Sequence, residues 1–369
     1  MDIFQHHFYK LNYQLLSLVG LWPYQDNKSR LFRVYFLNIA VMTFNITQVS
    51  TDISSTIVPT MATMINMTIK YYTYYIGMFN IRKLLDKMML DWKTWNSKEE
   101  IEIMKKYAEE GRLYSLAYTL YIYISTILFF SISFLPLLLD VVLPLNESRP
   151  LQPIVLGEYF IDQQKHFYFI FCHMAFTILL AMTIFIATDT QFFVFTCHAC
   201  GVFSVVGFRL EQLMKDDNTM NKYFDKRRYF KHVVLSIKGH SRAIELRFAN
   251  LIESSFSSPL LIQCGINIAC LSVSLYRMKT LLDISTEMFK YIAFLAAQLF
   301  HIFCICYSGQ RIIDHSSETL IKAYNGLWYE APIEIRKLIL LVIRRSIEST
   351  RLTGGKVFVF CLKGFSTVN

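Results

Sequence analysis

The chain has 369 residues, of which 54% are hydrophobic, 15% aromatic and only 18% charged, with 37 Lys and Arg against 28 Asp and Glu. Soluble domains average about 25% charged residues, so this chain has too few charges to cover a soluble surface. The composition excludes a disordered chain, a collagen-like fibre and a small disulfide scaffold, and it favours a polytopic membrane protein over a soluble enzyme.

The first element, residues 1–30, is predicted to be a cytoplasmic or interfacial segment that contains an amphipathic helix. Apolar residues recur at helical spacing across residues 4–21, and Trp22-Pro23 ends the pattern. The segment lacks the small-residue cleavage site of a secretory signal peptide. The first membrane span must therefore serve as its own insertion signal.

Six apolar runs are long enough to cross a bilayer, because a hydrocarbon core of about 30 Å needs about 20 helical residues. These runs are 31–50, 53–79, 113–143, 167–207, 256–276 and 288–307. A seventh run starts near Val357 and stops at Asn369. It would extend only about 20 Å as a helix. We therefore expect an all-α polytopic membrane protein with seven transmembrane helices, the seventh truncated.

The basic residues between these runs predict the orientation of the chain. Three segments, 80–112, 208–255 and 308–351, hold eight, ten and seven Lys and Arg, whereas 144–166 and 277–287 hold two each. Basic loops stay on the cytoplasmic side of a membrane. The N-terminus and the three basic segments are therefore predicted to be intracellular, and residues 144–166 form an outer loop.

The run 167–207 is twice as long as a span needs to be. It could form two spans that turn at 188–191, but this would place the ten-charge segment outside and break the alternation. We predict one long helix whose inner half leaves the bilayer, with Asp189 near the inner interface, where a charge costs less. Lys70 is expected to extend its ammonium group towards the same interface.

Two cytoplasmic segments have apolar faces that need partners. Residues 208–255 and 308–351 each contain an amphipathic pattern, which predicts helices that either pack together within or between subunits or lie flat on the inner leaflet. The predicted organisation is residues 1–30, transmembrane helices 1–4 in 31–207, a cytoplasmic anchor helix in 208–255, helices 5–6 in 256–307, an anchor segment in 308–351 and a last partial helix in 352–369.

No motif of enzyme chemistry occurs in the sequence. It contains no nucleophile elbow, His-Glu-x-x-His pair, phosphate loop or dinucleotide fingerprint. His173, His198 and His301 lie on different predicted spans and are expected to be packed histidines. We therefore predict neither an enzyme nor a cofactor or metal site.

The outer halves of the spans are rich in Met, Phe, Tyr and Ser, which suits a small hydrophobic ligand, because such sites are apolar with a few polar groups. The candidate ligand-binding residues are Met61, Met64, Ile65, Phe130, Ser133, Phe134, Phe171, Met174, Ile178, Tyr291 and Phe294. The alternative is that each faces lipid or a neighbouring helix. Asn146, in Asn146-Glu147-Ser148 of the outer loop, is a predicted glycosylation acceptor.

Several motifs resemble those of the insect odorant receptor family. They are the segment 18–23 before the first span, His240 with Ile244 and then 256–263 leading into the fifth span, 324–329 (Tyr-Asn-Gly-Leu-Trp-Tyr), and 352–356 (Leu-Thr-Gly-Gly-Lys) before the last span. Gly354 stands where the family has alanine. The resemblance extends nearly from end to end, although the family's last span continues beyond the position of Asn369.

The resemblance implies a function. Members of this family have an intracellular N-terminus and form ligand-gated non-selective cation channels, heteromeric and tetrameric, with a shared co-receptor subunit in the plasma membrane of sensory neurons. Odorants enter a pocket in the outer half of the bundle, cytoplasmic helices anchor the subunits, and the last span lines the pore. On this template the pore residues are Val357, Phe358, Cys361, Phe365 and Val368.

Two alternatives are kept open. A gustatory-type receptor channel would share the architecture, and a membrane transporter would need paired charges inside the membrane or broken helices in repeated halves. No internal repeat is evident in the sequence. The identity of the ligand does not follow from these patterns.

Overall fold

The computed structural model describes residues 3–49, 57–95, 97–143, 149, 151, 153–155, 157–215, 248–280, 286–325, 329 and 333–368. Within these ranges the chain is helical apart from short turns and one small hairpin, which confirms the predicted all-α class. The helices are α1 Lys10–Leu18, α2 Asn27–Val49, α3 Ile57–Ile76, α4 Met78–Thr94, α5 Lys98–Ser131, α6 Leu135–Val142, α7 Phe167–Lys215, α8 Phe248–Thr280, α9 Thr286–Asn325, α10 Ile333–Ser346 and α11 Leu362–Val368.

Long apolar helices form the body of the subunit. Four stretches in the described part of the chain are long and apolar enough to cross a membrane: Lys98–Val142, Phe167–Glu211, Phe248–Thr280 and Met288–Asn325. The helices α2 and α3 have 23 and 20 residues. At 1.5 Å per residue they extend about 35 and 30 Å, so they also reach across a bilayer by length.

The central helix α7 is continuous over its 49 residues, which confirms the prediction of one long helix and excludes the two-span alternative. The residues 188–191 contain neither Gly nor Pro. The hydroxyl groups of Thr188 and Thr190 donate to the carbonyl oxygens of Ile184 and Ile186, one turn earlier, at 2.9 and 2.7 Å. Both hydroxyl groups are thus hydrogen-bonded within the helix, so these polar residues do not end it. The helices α5 and α9 pack along most of α7.

The N-terminal segment folds back onto this core. Helix α1 ends in a Schellman motif, in which Gly20 has a φ of +76° and the amide of Leu21 donates to the carbonyl oxygen of Leu16 at 2.8 Å. The hydroxyl group of Tyr71, on α3, donates to the carbonyl oxygen of Val19 at 3.1 Å. Leu16 and Leu21 are fully buried, so the segment is part of the subunit core.

The last segment differs from the prediction. Residues 352–369 were expected to be a partial helix, but Thr353–Gly354 (β1) and Phe358–Val359 (β2) form an antiparallel hairpin, and helix α11 begins only at Leu362. The hairpin turns at Gly355 and Lys356, whose φ angles are +57° and +62°. This left-handed backbone ends any helix, and Gly355 adopts it without steric cost.

Several predicted features lie outside the described residues. They are Asn146 with its glycosylation motif, the segment 216–247 of the predicted anchor helix with His240 and Ile244, and Gly326-Leu327-Trp328 of the 324–329 motif. On either side of 216–247, α7 continues to Lys215 and α8 starts at Phe248, so α8 begins before the predicted start of the fifth span at 256.

Candidate functional site

Three of the predicted ligand-binding phenylalanines come together between α5 and α7. The ring of Phe171 lies 6.2 Å from that of Phe130 and 4.7 Å from that of Phe134, both in edge-to-face geometry. Phe167, one turn before Phe171, also contacts Phe134 at 6.3 Å. Edge-to-face pairs are a favoured arrangement of aromatic rings. We call these four rings the outer aromatic cluster.

Ser133 adds a polar side chain to the stretch of chain between Phe130 and Phe134, two rings of the outer aromatic cluster. It lies in the 3-10 turn Ile132–Phe134 that links α5 to α6, and its side chain is buried. Its Oγ atom has no hydrogen-bond partner among the described residues. By contrast, the hydroxyl group of Ser131 donates to the carbonyl oxygen of Leu128 at 2.7 Å. A buried hydroxyl group without a partner favours a ligand that supplies one.

The other predicted ligand-binding residues divide into two groups. Met64, Met174, Ile178 and Tyr291 are buried in the subunit, and Met61 and Phe294 are half-buried. Ile65 is 52% exposed, because consecutive helical residues point in directions about 100° apart and Met64 occupies the inward position. The structure therefore does not bring Ile65 into the interior with the others.

A buried ionic network lies deeper in the bundle, centred on Asp189 of α7. Lys70 of α3 forms an ion pair with the Oδ1 atom of Asp189. The hydroxyl group of Tyr118, on α5, donates to Oδ2 at 2.9 Å, and Nε2 of His301, on α9, lies 3.1 Å from the same oxygen. Lys70 is only 7% exposed, so the expectation that it reaches the inner interface is wrong.

His301 extends this network to α8. Its Nδ1 atom lies 3.1 Å from the side-chain amide nitrogen of Asn267, and its Nε2 atom lies 2.9 Å from that of Gln263. Asn66, on α3, donates to Oδ1 of Asn267 at 3.3 Å. Because a carboxylate only accepts, we assign the His301 proton to Nε2, which leaves Nδ1 to accept from Asn267. With Nε2 protonated, the amide nitrogen of Gln263 is a close neighbour of His301 and does not donate to it. The predicted packed histidine is thus a bonded member of a network.

Sequence reasoning could not find this network, which we call the Asp189 network. Its members lie on α3, α5, α7, α8 and α9, and Asp189 is separated from Lys70, Tyr118 and His301 by 119, 71 and 112 residues. The only signal in the sequence is that Lys70, Asp189 and His301 are ionisable residues inside apolar runs, which marks a functional site by default.

The predicted pore residues lie in the hairpin and α11. Val357 is at the hairpin turn and 85% exposed, whereas Phe358 and Cys361 are half-buried. The ring of Phe365 lies 5.6 Å from that of Phe303 on α9. The side chain of Val368 lies outside the described residues.

Two of the sequence motifs contact each other. The amide of Gly355 donates to Oγ of Ser257 at 2.8 Å, and the Thr353 hydroxyl group donates to Glu253. A Cβ atom on Gly355 would lie 2.5 Å from Cδ2 of Leu261, so the hairpin approaches α8 closely. The segments 256–263 and 352–356 therefore form one interface, which fixes the start of α11 against α8.

Ion pairs connect the inner parts of the helices. Arg311 of α9 binds Glu110 of α5 at 2.5 Å, and Arg209 of α7 binds Glu100 at the start of α5, also at 2.5 Å. Within the described ranges, no group of three or more His, Cys, Asp or Glu side chains could hold a metal ion. The acidic and basic groups here join helices to one another.

Comparison with known proteins agrees with the fold. The chain is 25% identical to Odorant receptor 46a, isoform A, of Drosophila melanogaster over 134 residues, 36% of this chain and 35% of that receptor. It is 23% identical to the Odorant receptor coreceptor of the same species over 132 residues, 36% of this chain and 27% of that protein. The matched segments thus span about a third of these curated relatives.

The full architecture is shared with a solved structure. The insect olfactory receptor OR5 from Machilis hrabei, in complex with eugenol, superposes with a TM-score of 0.77 over 97% of this chain and 93% of that chain, at 14% sequence identity. A second structure of the same receptor superposes with a TM-score of 0.75 over 100% of this chain and 96% of that chain, at 15% sequence identity. The sequence model of the family described as 7tm Odorant receptor matches residues 55–369. Because this match covers most of the chain, the chain belongs to the seven-transmembrane odorant receptor family.

Proposed function

We propose that this receptor binds a small volatile hydrophobic molecule in the outer half of its helical bundle and opens a non-selective cation channel together with a co-receptor subunit. Membership of the odorant receptor family supports a receptor over an enzyme. The similarity to co-receptors and to a receptor solved with eugenol supports both the partner and the ligand class. The proposed site of action is the plasma membrane of sensory neurons.

The outer aromatic cluster carries the proposal for the ligand site. Phe130, Phe134 and Phe171 provide edge-to-face ring surfaces that a flat apolar molecule can join. Ser133 supplies one buried hydroxyl group with no partner in the described part of the chain. An apolar surface with one polar anchor is the usual composition of a small-molecule site. Buried Met64, Met174 and Ile178 and the half-buried Met61 are proposed to complete the apolar wall, together with Tyr291 and Phe294.

The proposed pore element is the segment that ends the chain. Helix α11 contacts α9 through Phe365 and Phe303, and the hairpin before it contacts α8. We assign Val357, Phe358, Cys361, Phe365 and Val368 to the pore region on this basis. Ligand binding would open the channel if the ligand binds the open arrangement of these helices more tightly than the closed one.

The alternative of a transporter draws on one observation. Lys70 and Asp189 are a pair of charges inside the bundle, as transporters often have. Asp189 is, however, also bonded to Tyr118 and His301, so its charge is held by three donors on three helices. Such a fully bonded carboxylate favours a structural role over the binding of a transported ion. Ion-dependent uptake into vesicles would support the transporter instead.

The test of the proposed function is to co-express the chain with an insect co-receptor and record currents during application of volatile alcohols, esters and phenols, eugenol first. We expect an inward cation current with at least one volatile. Phe171→Ala should then raise the half-maximal concentration about tenfold or more, because burial of a Phe side chain contributes about 1.5–3 kcal/mol. A wild-type pair that expresses at the surface and responds to no volatile would contradict the proposal.

Phe169→Ala is the matched control. Phe169 lies two residues before Phe171 on α7 and is 80% exposed in the subunit, so the same deletion there removes no contact with the outer aromatic cluster. We expect its half-maximal concentration to stay within about twofold of the wild type. Equal shifts in both variants would show that the site lies elsewhere.

A further inference from the structure

The Asp189 network lies between the proposed ligand site and the proposed pore. Along α9, Tyr291 comes first, His301 follows ten residues later, about 15 Å away, and Phe303, which contacts Phe365 of α11, is two residues further on. His301 therefore lies between the proposed ligand residue Tyr291 and the pore contact Phe303 on α9.

Helix α8 also joins the network to the pore segment. Asn267 bonds to His301 and Gln263 lies beside it, while Ser257 and Leu261, about half a turn to three turns earlier in the chain, contact the hairpin that starts the last segment. The two helices that hold the hairpin and α11 are thus both bonded to the network. On its other side the network is bonded to α3, α5 and α7 through Lys70, Tyr118 and Asp189.

We infer that the Asp189 network positions α8 and α9 against α3, α5 and α7 and thereby stabilises the closed arrangement of the channel. This inference rests on the proposed function. Asp189 and its partners do not touch the ligand; they act by fixing the helices that do and the helices that hold the pore segment.

The position of α9 decides whether this network stays bonded. If α9 moved by about 2 Å relative to α7, the His301–Asp189 bond of 3.1 Å would be lost, and the buried Asp189 carboxylate would keep two of its three donors. Losing a bond to a buried charged group changes an equilibrium about tenfold to a hundredfold. A change of that size is comparable to the coupling between distant sites in allosteric proteins.

The decisive variant is His301→Phe. It keeps an aromatic ring of similar size and leaves the Lys70–Asp189 pair, the Tyr118 bond and the Asn66–Asn267 bond intact, but it removes the bonds that His301 of α9 makes to Asp189 and Asn267. Because the bonds exist in the ligand-free structure, their loss should shift the equilibrium towards the open arrangement. In cells that co-express the co-receptor, we expect the ligand-free cation current per surface receptor to rise at least about fivefold, the lower end of typical coupling.

A second variant keeps the test decisive if His301→Phe fails to reach the surface. Tyr118→Phe removes only one hydroxyl group, one of the three donors that fix the Asp189 carboxylate to which His301 bonds. Because this bond joins α5 to α7 and acts on α9 only through that carboxylate, we expect a smaller rise of the ligand-free current, about twofold to fivefold. Its matched control is Tyr123→Phe, which removes another hydroxyl bond between the same two helices, to Thr183 at 3.0 Å, outside the network. The control should leave the ligand-free current unchanged.

The outcomes separate this inference from the proposed function. A ligand-free current that rises in His301→Phe or Tyr118→Phe but not in Tyr123→Phe supports the inference, even in a channel that responds to no volatile tested. Variants that reach the surface and keep the wild-type ligand-free current, in a channel that does respond to volatiles, would overturn the inference and leave the proposed function intact. A rise of the same size in Tyr123→Phe would also overturn it.

Discussion

Removing Lys70 should destabilise the folded receptor more than removing both Lys70 and the charge on Asp189. The two side chains are buried and paired, so little solvent screens either charge. In Lys70→Met the carboxylate of Asp189 keeps only two hydrogen-bond donors, Tyr118 and His301, and has no cation beside it. Breaking a buried ion pair in this way costs about 3–5 kcal/mol of folding stability.

The double variant Lys70→Met/Asp189→Asn should recover much of this loss. The asparagine oxygen still accepts from Tyr118 or His301, and no uncompensated charge remains, so we expect it within about 1–2 kcal/mol of the wild type. Thermal unfolding of the purified receptor, followed by the loss of its monodisperse chromatographic peak, measures the difference. Lys70→Met should lower the midpoint by about 6 °C or more, and the double variant should melt between it and the wild type.

The single variant Asp189→Asn completes the cycle. It leaves the Lys70 cation buried without its carboxylate, so it should also melt below the double variant. If the double variant lost as much stability as the two single variants together, the effects would be additive and the two groups would not form a buried pair. That result would refute the assignment of Asp189 as the centre of the network.

Two further predictions concern glycine positions, and a third concerns the orientation of the chain in the membrane. Gly309→Ala should detach the C-terminal segment and abolish the current, because the added Cβ atom would lie 2.1 Å from the carbonyl oxygen of Phe360. Gly265→Ala is the control, because a Cβ atom there would have no neighbouring atom within 4 Å. An equal loss of current in both variants would contradict this packing. Gly20→Ala should lower the melting midpoint, because its φ of +76° costs an L-residue about 1–2 kcal/mol; an unchanged midpoint would argue against the Schellman turn. An epitope tag at the N-terminus should be labelled only after permeabilisation, because basic segments stay in the cytoplasm; labelling of intact cells would reverse the topology.

The sequence predicted the elements better than their contacts. The alternation of basic segments with apolar runs was sufficient to predict α7 as one helix, because a turn at 188–191 would have placed the ten-charge segment outside. The Asp189 network was missed because its bonds join residues 34 to 119 positions apart, and longer still from Asn66 to Asn267, on five helices. The residues next to Lys70 in the sequence do not show whether this lysine pairs with a buried carboxylate or extends to the membrane interface.

The C-terminal segment shows a second limit. A partial helix was predicted for 352–369 on an apolar run that starts near Val357, but the hairpin depends on contacts with Ser257 and Leu261, which lie on a helix far earlier in the chain. The paired glycines Gly354 and Gly355 were the local signal for a turn. For the proposed ligand site, composition indicated three phenylalanine rings that the structure brings together, whereas the outward position of Ile65 follows only from the rotation of α3 within the bundle.

The most direct test of the ligand site is an experimental structure of the assembled channel with a volatile that activates it. We expect density for the ligand against the rings of Phe130, Phe134 and Phe171, with a polar atom of the ligand within hydrogen-bond distance of Ser133 Oγ. Ligand density in another part of the subunit, with these rings still packed on one another, would contradict the account.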